Sequence, residues 1–117
     1  MALHYYGRMS FIVNLLPLLR AAPAPRVLSV LSGGVHSPHA AYAGDPTLKD
    51  SYSLSAAANA AGFYNDLGLD ALSRLPENAG VTFAHASPGF VNTRWGTEMP
   101  WYVRGLVRML QVRARLF

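Results

Sequence analysis

The stretch Val-Thr-Phe-Ala-His-Ala-Ser-Pro-Gly-Phe-Val-Asn-Thr, Val81 to Thr93, decides how the chain is read. A strand-like run stops at Pro88-Gly89, and a small polar residue, Thr93, follows four positions after the glycine. In open α/β sheets ligands sit just beyond the carboxyl ends of strands, where irregular backbone offers its N–H and C=O groups. The stretch has the pattern of such a strand end.

A second candidate strand lies upstream. Arg26 to Leu31 is apolar at Val27, Leu28, Val30 and Leu31, the pattern of a strand buried on both faces of a parallel sheet. It runs into Ser32-Gly33-Gly34, where the glycines let the chain leave the strand sharply. Helical periodicity flanks and separates the two strands. Leu3 to Leu19 has a broad apolar face (Met9, Ile12, Val13, Leu15, Leu16, Leu18, Leu19), with Pro17 in its last turn and the Ala21 to Pro25 run as a stop. Ser51 to Leu72 reads as a helix of low bulk, alanine-rich early and leucine-rich late, ended by Pro76 to Gly80. Between them Val35 to Asp50 is a loop of about sixteen residues, longer than most connections and in keeping with a functional or disordered loop. Met99 to Phe117 mixes apolar residues with Arg104, Arg108, Arg113 and Arg115. The order helix, strand, helix, strand, helix predicts an α/β fold with parallel strands, a partial Rossmann-like (doubly wound) unit. Residues 1–96 form its core, and 97–117 a basic amphipathic C-terminal helix.

Composition narrows the function classes. A chain of 117 residues, 51% apolar and 14% charged, has room for one domain with a modest core and lies far from disordered compositions. There is no cysteine, so disulfides and thiolate metal sites are excluded. His36 and His39 have chelating spacing but no carboxylate before Asp45, and they read as structural or surface histidines with no metal site. The net charge of +4 is concentrated: five of the nine arginines lie from Arg94 onward, opposed only by Glu98. That describes a basic tail, and no nucleic-acid recognition motif accompanies it. No run reaches the roughly 20 apolar residues of a membrane span, so a cytoplasmic protein is expected.

Several small motifs, in register, resemble the C-terminal half of the short-chain dehydrogenase/reductase family, in particular its fungal members. Arg26 to Ser32 resembles the family's fifth strand, and Ser32 takes the place of the serine that hydrogen-bonds the substrate oxygen. Pro88-Gly89 with Thr93 resembles the loop after the sixth strand, which borders the nicotinamide end of the cofactor. Leu15 to Leu19, preceded by Gly7, is similar to the helix before the fifth strand, whose asparagine would fall at His4. The helix containing Tyr52 resembles the catalytic helix, where a tyrosine and a lysine four residues later cooperate in proton transfer.

Departures from the pattern are equally specific. Ala56 stands where the lysine belongs, and the single lysine of the chain, Lys49, cannot be realigned to serve. Tyr52 is therefore either an acid/base candidate or a helix-start or core tyrosine. The glycine-rich turn that cradles the dinucleotide pyrophosphate has no counterpart, because the likeness begins about where the family's fourth helix would start. Gly33-Gly34 reads as a structural turn. The resemblance implies an NAD(P)-dependent oxidoreductase acting on a small-molecule carbonyl or alcohol, present here as a truncated or degenerate copy inactive alone. It also implies a homo-oligomer through the helices at 3–19 and 51–72. The alternative is a non-catalytic interaction module that pairs with a related reductase, or that meets a membrane surface through Trp101, Tyr102 and the basic tail. A substrate-covering lid is the plainer role for that tail.

Overall fold

The computed structural model describes residues 1–38, 42–89, 100–105 and 109. The chain forms two compact units, Met1–Ser87 and Pro88–Phe117. In the first, a wide turn of π-helix at Ala2–Tyr6 leads into helix α1, Gly7–Arg20. Strand β1 is Arg26–Val30, helix α2 is Leu54–Ser73, a turn of 3-10 helix spans Pro76–Asn78, and strand β2 is Thr82–Ala86. In the second unit residues 101–105 are helical, and the remainder of the expected 97–117 helix lies largely outside the described residues.

β1 and β2 pair in parallel, with Arg26 opposite Thr82 and Val30 opposite Ala86. The ladder extends one residue past each end, through Thr82 N–H to Pro25 O at 3.0 Å and Leu31 N–H to Ala86 O at 3.1 Å. Parallel neighbours need a crossover, and α2 supplies it. The expected α/β architecture with parallel strands is the observed one.

Burial of β1 differs from the sequence expectation. Its residues alternate, with Val27 and Ser29 buried while Leu28 and Val30 are 64% and 45% exposed. The reason is that both helices pack on the Val27 side. Leu16 of α1, Val27 of β1, Leu69 of α2 and Val81 form the core, and Met9, Ile12, Leu19, Leu72 and Phe83 pack around them. In α1 the core-facing residues Met9, Ile12, Leu16 and Leu19 recur at helical spacing. The rest of its broad apolar surface, Phe11, Val13, Leu15 and Leu18, is exposed.

α2 starts three residues later than its composition suggests. Ser53 is extended (φ −145°, ψ 159°), and its Oγ accepts from Ala56 N–H at 3.0 Å, satisfying one of the free donors of the first turn. Small residues then allow close packing. A side chain at Gly68 would meet Met9 Sδ, so this glycine is where α1 reaches α2. Beyond α2 the fully buried Asn78 ties the corner together, accepting from Arg20 Nε at 2.8 Å and donating to Leu72 O at 2.7 Å.

This packing separates neighbouring leucines. Leu16→Ala, at a site 3% exposed, should cost about 2–5 kcal/mol in denaturant unfolding. Leu15→Ala, at a site 46% exposed, should cost about 0.5 kcal/mol or less. Equal losses would contradict the assigned helix face.

Candidate functional site

Ser32 sits just beyond the carboxyl end of β1, half-buried, and its carbonyl accepts from Val35 N–H at 3.2 Å to close a turn. The turn is built on glycine for two separate reasons. Gly34 has φ +68°, in the left-handed region that side chains resist. Gly33 lies against the backbone of β2, where an added Cβ would collide with the His85 carbonyl.

α2 comes up to this turn through Gly62. A Cβ at Gly62 would run into the His36 ring and approach Ser32 Oγ to 2.9 Å, so the two side chains share the space that the glycine leaves. One turn earlier Asn59 Oδ1 lies 2.8 Å from His36 Nδ1 and fixes the ring. One turn later Asp66 accepts the Gly34 N–H, with Oδ2 at 3.2 Å, and lies 2.6 Å from His85 Nδ1 through Oδ1. A carboxylate only accepts, so this last bond requires the proton on His85 Nδ1. The His85 side chain is 4% exposed, and its Nε2 has no hydrogen-bond partner among the described residues. Asn59, Gly62 and Asp66 thus form one face of α2, at helical spacing, beneath the ends of both strands.

The residues expected from the sequence lie in several different places. Ser32 belongs to this cluster. Tyr52 is 69% exposed and precedes the capping Ser53, ahead of α2 and not on its inward face. Pro88 and Gly89 are exposed and open the second unit, Gly89 with φ +64°. Thr93 and His39 lie outside the described residues. His4 falls in the π-helical turn, where its carbonyl accepts from Asn65 Nδ2 at 2.7 Å. Asn59, Asp66 and His85 escaped the sequence reading. The available signals were the 59, 62, 66 spacing and the alternation of Phe83 with His85. Among the described residues no three His, Asp or Glu side chains gather as a metal site.

The last residues of the long loop are held by Asp45. Its carboxylate accepts from Lys49 N–H at 2.8 Å, Asp50 N–H at 2.9 Å, and both Ser51 N–H and Ser51 Oγ at 2.8 Å. These bonds, led by those from the Ser51 and Lys49 backbone, hold its pKa well below the usual carboxylate range. Within this turn Leu48 is left-handed (φ 56°) and buried, 5% exposed.

Chemically, the Ser32 cluster can hydrogen-bond an oxygen at a strand end. The face of α2 beneath it presents no tyrosine–lysine pair. Sequence comparison places this chain beside two fungal proteins named as oxidoreductases. It is 40% identical over 92 residues to "Oxidoreductase AN1596" of Emericella nidulans, covering 79% of this chain and 26% of that protein. It is 35% identical over 95 residues to "NmrA-like family domain-containing oxidoreductase notO" of an Aspergillus species, covering 80% and 28% respectively. The chain therefore spans about a quarter of the length of the curated relatives it matches. No protein-family model and no solved structure matches it.

Two outcomes follow from this geometry. Gly62→Ala should lower unfolding stability by about 1–3 kcal/mol, because the methyl must displace His36 or Ser32; an unchanged midpoint would refute the close approach. Because the Asp45 pKa is depressed on folding, its contribution to loop order is present above its unfolded value and is lost as pH falls through the lower folded one. Amide exchange at Lys49, Asp50 and Ser51 should accordingly be faster in Asp45→Asn at pH 5, and unaltered exchange would show that the carboxylate does not order the loop.

Proposed function

We propose that this chain is a substrate-side part of an oxidoreductase related to the short-chain dehydrogenases/reductases, which transfers a hydride between NAD(P) and a carbonyl or alcohol. Ser32 is its substrate-orienting residue. The observation that carries the reading is the position of Ser32, at the carboxyl end of a parallel strand, in a chain 40% identical over most of its length to a protein named as an oxidoreductase. A neutral hydroxyl there donates to a carbonyl oxygen and steadies the negative charge that develops on it. Pro88, Gly89 and Thr93 border the nicotinamide in this reading.

The dinucleotide phosphates do not fit the described residues. The Gly33-Gly34 turn follows a strand as a phosphate loop does, but it gives its Gly34 N–H to the Asp66 carboxylate, and α2 begins only at Leu54. A pyrophosphate would meet a negative charge where it needs donors. Phosphate binding is accordingly assigned to polypeptide beyond these residues, and no acid/base step is assigned to Tyr52.

A second reading, an interaction module, is favoured by the exposed Phe11, Leu15 and Leu18 of α1, which suit a second copy or a related reductase. One pair of measurements separates the two. A chimera in which this chain replaces the matching segment of Oxidoreductase AN1596 should bind NADPH, as followed by cofactor fluorescence. It should also oxidise NADPH with members of a carbonyl panel, and Ser32→Ala should slow that turnover by roughly 10²-fold or more. The 117-residue chain alone should not bind NADPH saturably. A folded chimera indifferent to Ser32→Ala would overturn the catalytic reading. If light scattering then shows a dimer abolished by Phe11→Ser with Leu18→Ser, the interaction module is the correct one.

A further inference from the structure

Away from Ser32, the first unit holds a pocket of about 290 Å³ whose wall is largely tyrosine. Tyr5 and Tyr6 come from the π-helical turn, Tyr42 and Pro46 from the long loop, and Tyr64 and Leu67 from α2. We propose that this pocket is a binding site for a small organic cation of the quaternary or tertiary alkylammonium class.

Three observations point to that chemistry. The rings gather around one volume: centroids are 5.1 Å apart for Tyr5 and Tyr6, 5.7 Å for Tyr5 and Tyr64, and 6.0 Å for Tyr42 and Tyr64, and both pairs that include Tyr5 are edge-on. Non-parallel rings around a cavity present both faces and edges to it, and a ring face attracts a cation through its quadrupole. Next, the loop side of the pocket is fixed in place, since Tyr64 Oη donates to Pro46 O at 2.7 Å and the adjacent Asp45 carboxylate holds the turn that follows. The pocket does not have to be assembled by the ligand. Finally, among the groups that act on Tyr64 the charged one is the Asp45 carboxylate, although the whole chain carries +4. The Tyr64 phenol is pushed above its ordinary value, first by burial and then by Tyr42, Tyr6, Asp45 and Tyr5, which disfavour a further negative charge. Burial penalises a charge of either sign, so the preference for a cation over an anion rests on the Asp45 carboxylate and the ring faces. The site shares no residue with the Ser32 cluster and stands whether or not the proposed reductase activity does.

Choline and its uncharged isostere 3,3-dimethylbutan-1-ol separate charge from shape. In calorimetric titration of the full chain, choline should bind saturably and the isostere at least about tenfold more weakly, the margin expected of cation–π attraction in a partly desolvated site. Tyr6→Leu and Tyr42→Leu, at positions 53% and 39% exposed, should keep the fold by circular dichroism and should each weaken choline binding several-fold. Equal affinity for the two ligands, no choline binding by the folded chain, or full affinity in both folded variants would overturn the proposal.

Discussion

The parallel pairing of β1 with β2 governs the rest of the first unit. Two parallel strands cannot be joined by a tight turn, so the chain must cross back over the sheet between Val30 and Thr82. α2 makes that crossing, and its length fixes where its ends fall. Because its middle passes beneath the carboxyl ends of both strands, Asn59, Gly62 and Asp66 lie where Ser32 and His85 emerge. The cluster at the strand ends follows from this crossover.

Close approach has to be offset by hydrogen bonding, since each glycine contact brings polar backbone out of water. Gly33 against the His85 carbonyl leaves the strand end tightly packed, and Asp66 satisfies both the Gly34 N–H and His85 Nδ1. Asp66 therefore joins β1, β2 and α2 through one carboxylate. His85 Nε2 and Asn65 Oδ1 remain buried and unpartnered among the described residues. An unsatisfied buried polar atom costs about 1–3 kcal/mol, a burden that the small Leu16, Val27, Leu69 and Val81 core has to carry.

The order of elements was legible because each carries its own period: Met9, Ile12 and Leu16 for α1, and the alanine and leucine blocks for α2. The ends were legible from residues with a single local use, such as the prolines after Arg20 and the glycines after Ser32. What sequence could not reveal was which face each element turns to its neighbours. Val27, Leu28 and Val30 are alike in chemistry, and only the placement of both helices on one side of the sheet buries the first and exposes the others. Tyr52 failed to enter α2 for a local reason: the Ser53 hydroxyl offers Ala56 N–H a better start to the helix than any earlier residue does. The Asp66–His85 pair joins residues 19 positions apart, and neither has a motif of its own.

Two apolar surfaces remain, and they make different demands. On the sheet, Leu28 and Val30 are exposed on the face away from both helices, and among the described residues β1 pairs only with β2. Parallel sheets are ordinarily covered on both faces, and an unpaired strand edge offers a row of donors and acceptors. Covering this surface takes a strand beside β1 and a helix over Leu28. On α1, Phe11, Leu15 and Leu18 form a stripe on the helical layer, which is the other side of the sheet from Leu28. A helix suits that stripe. The two surfaces therefore lie on different layers of the first unit. In the reductase proposed above, added strands of the same fold suit the first, whereas the second is the surface on which the interaction-module reading rests.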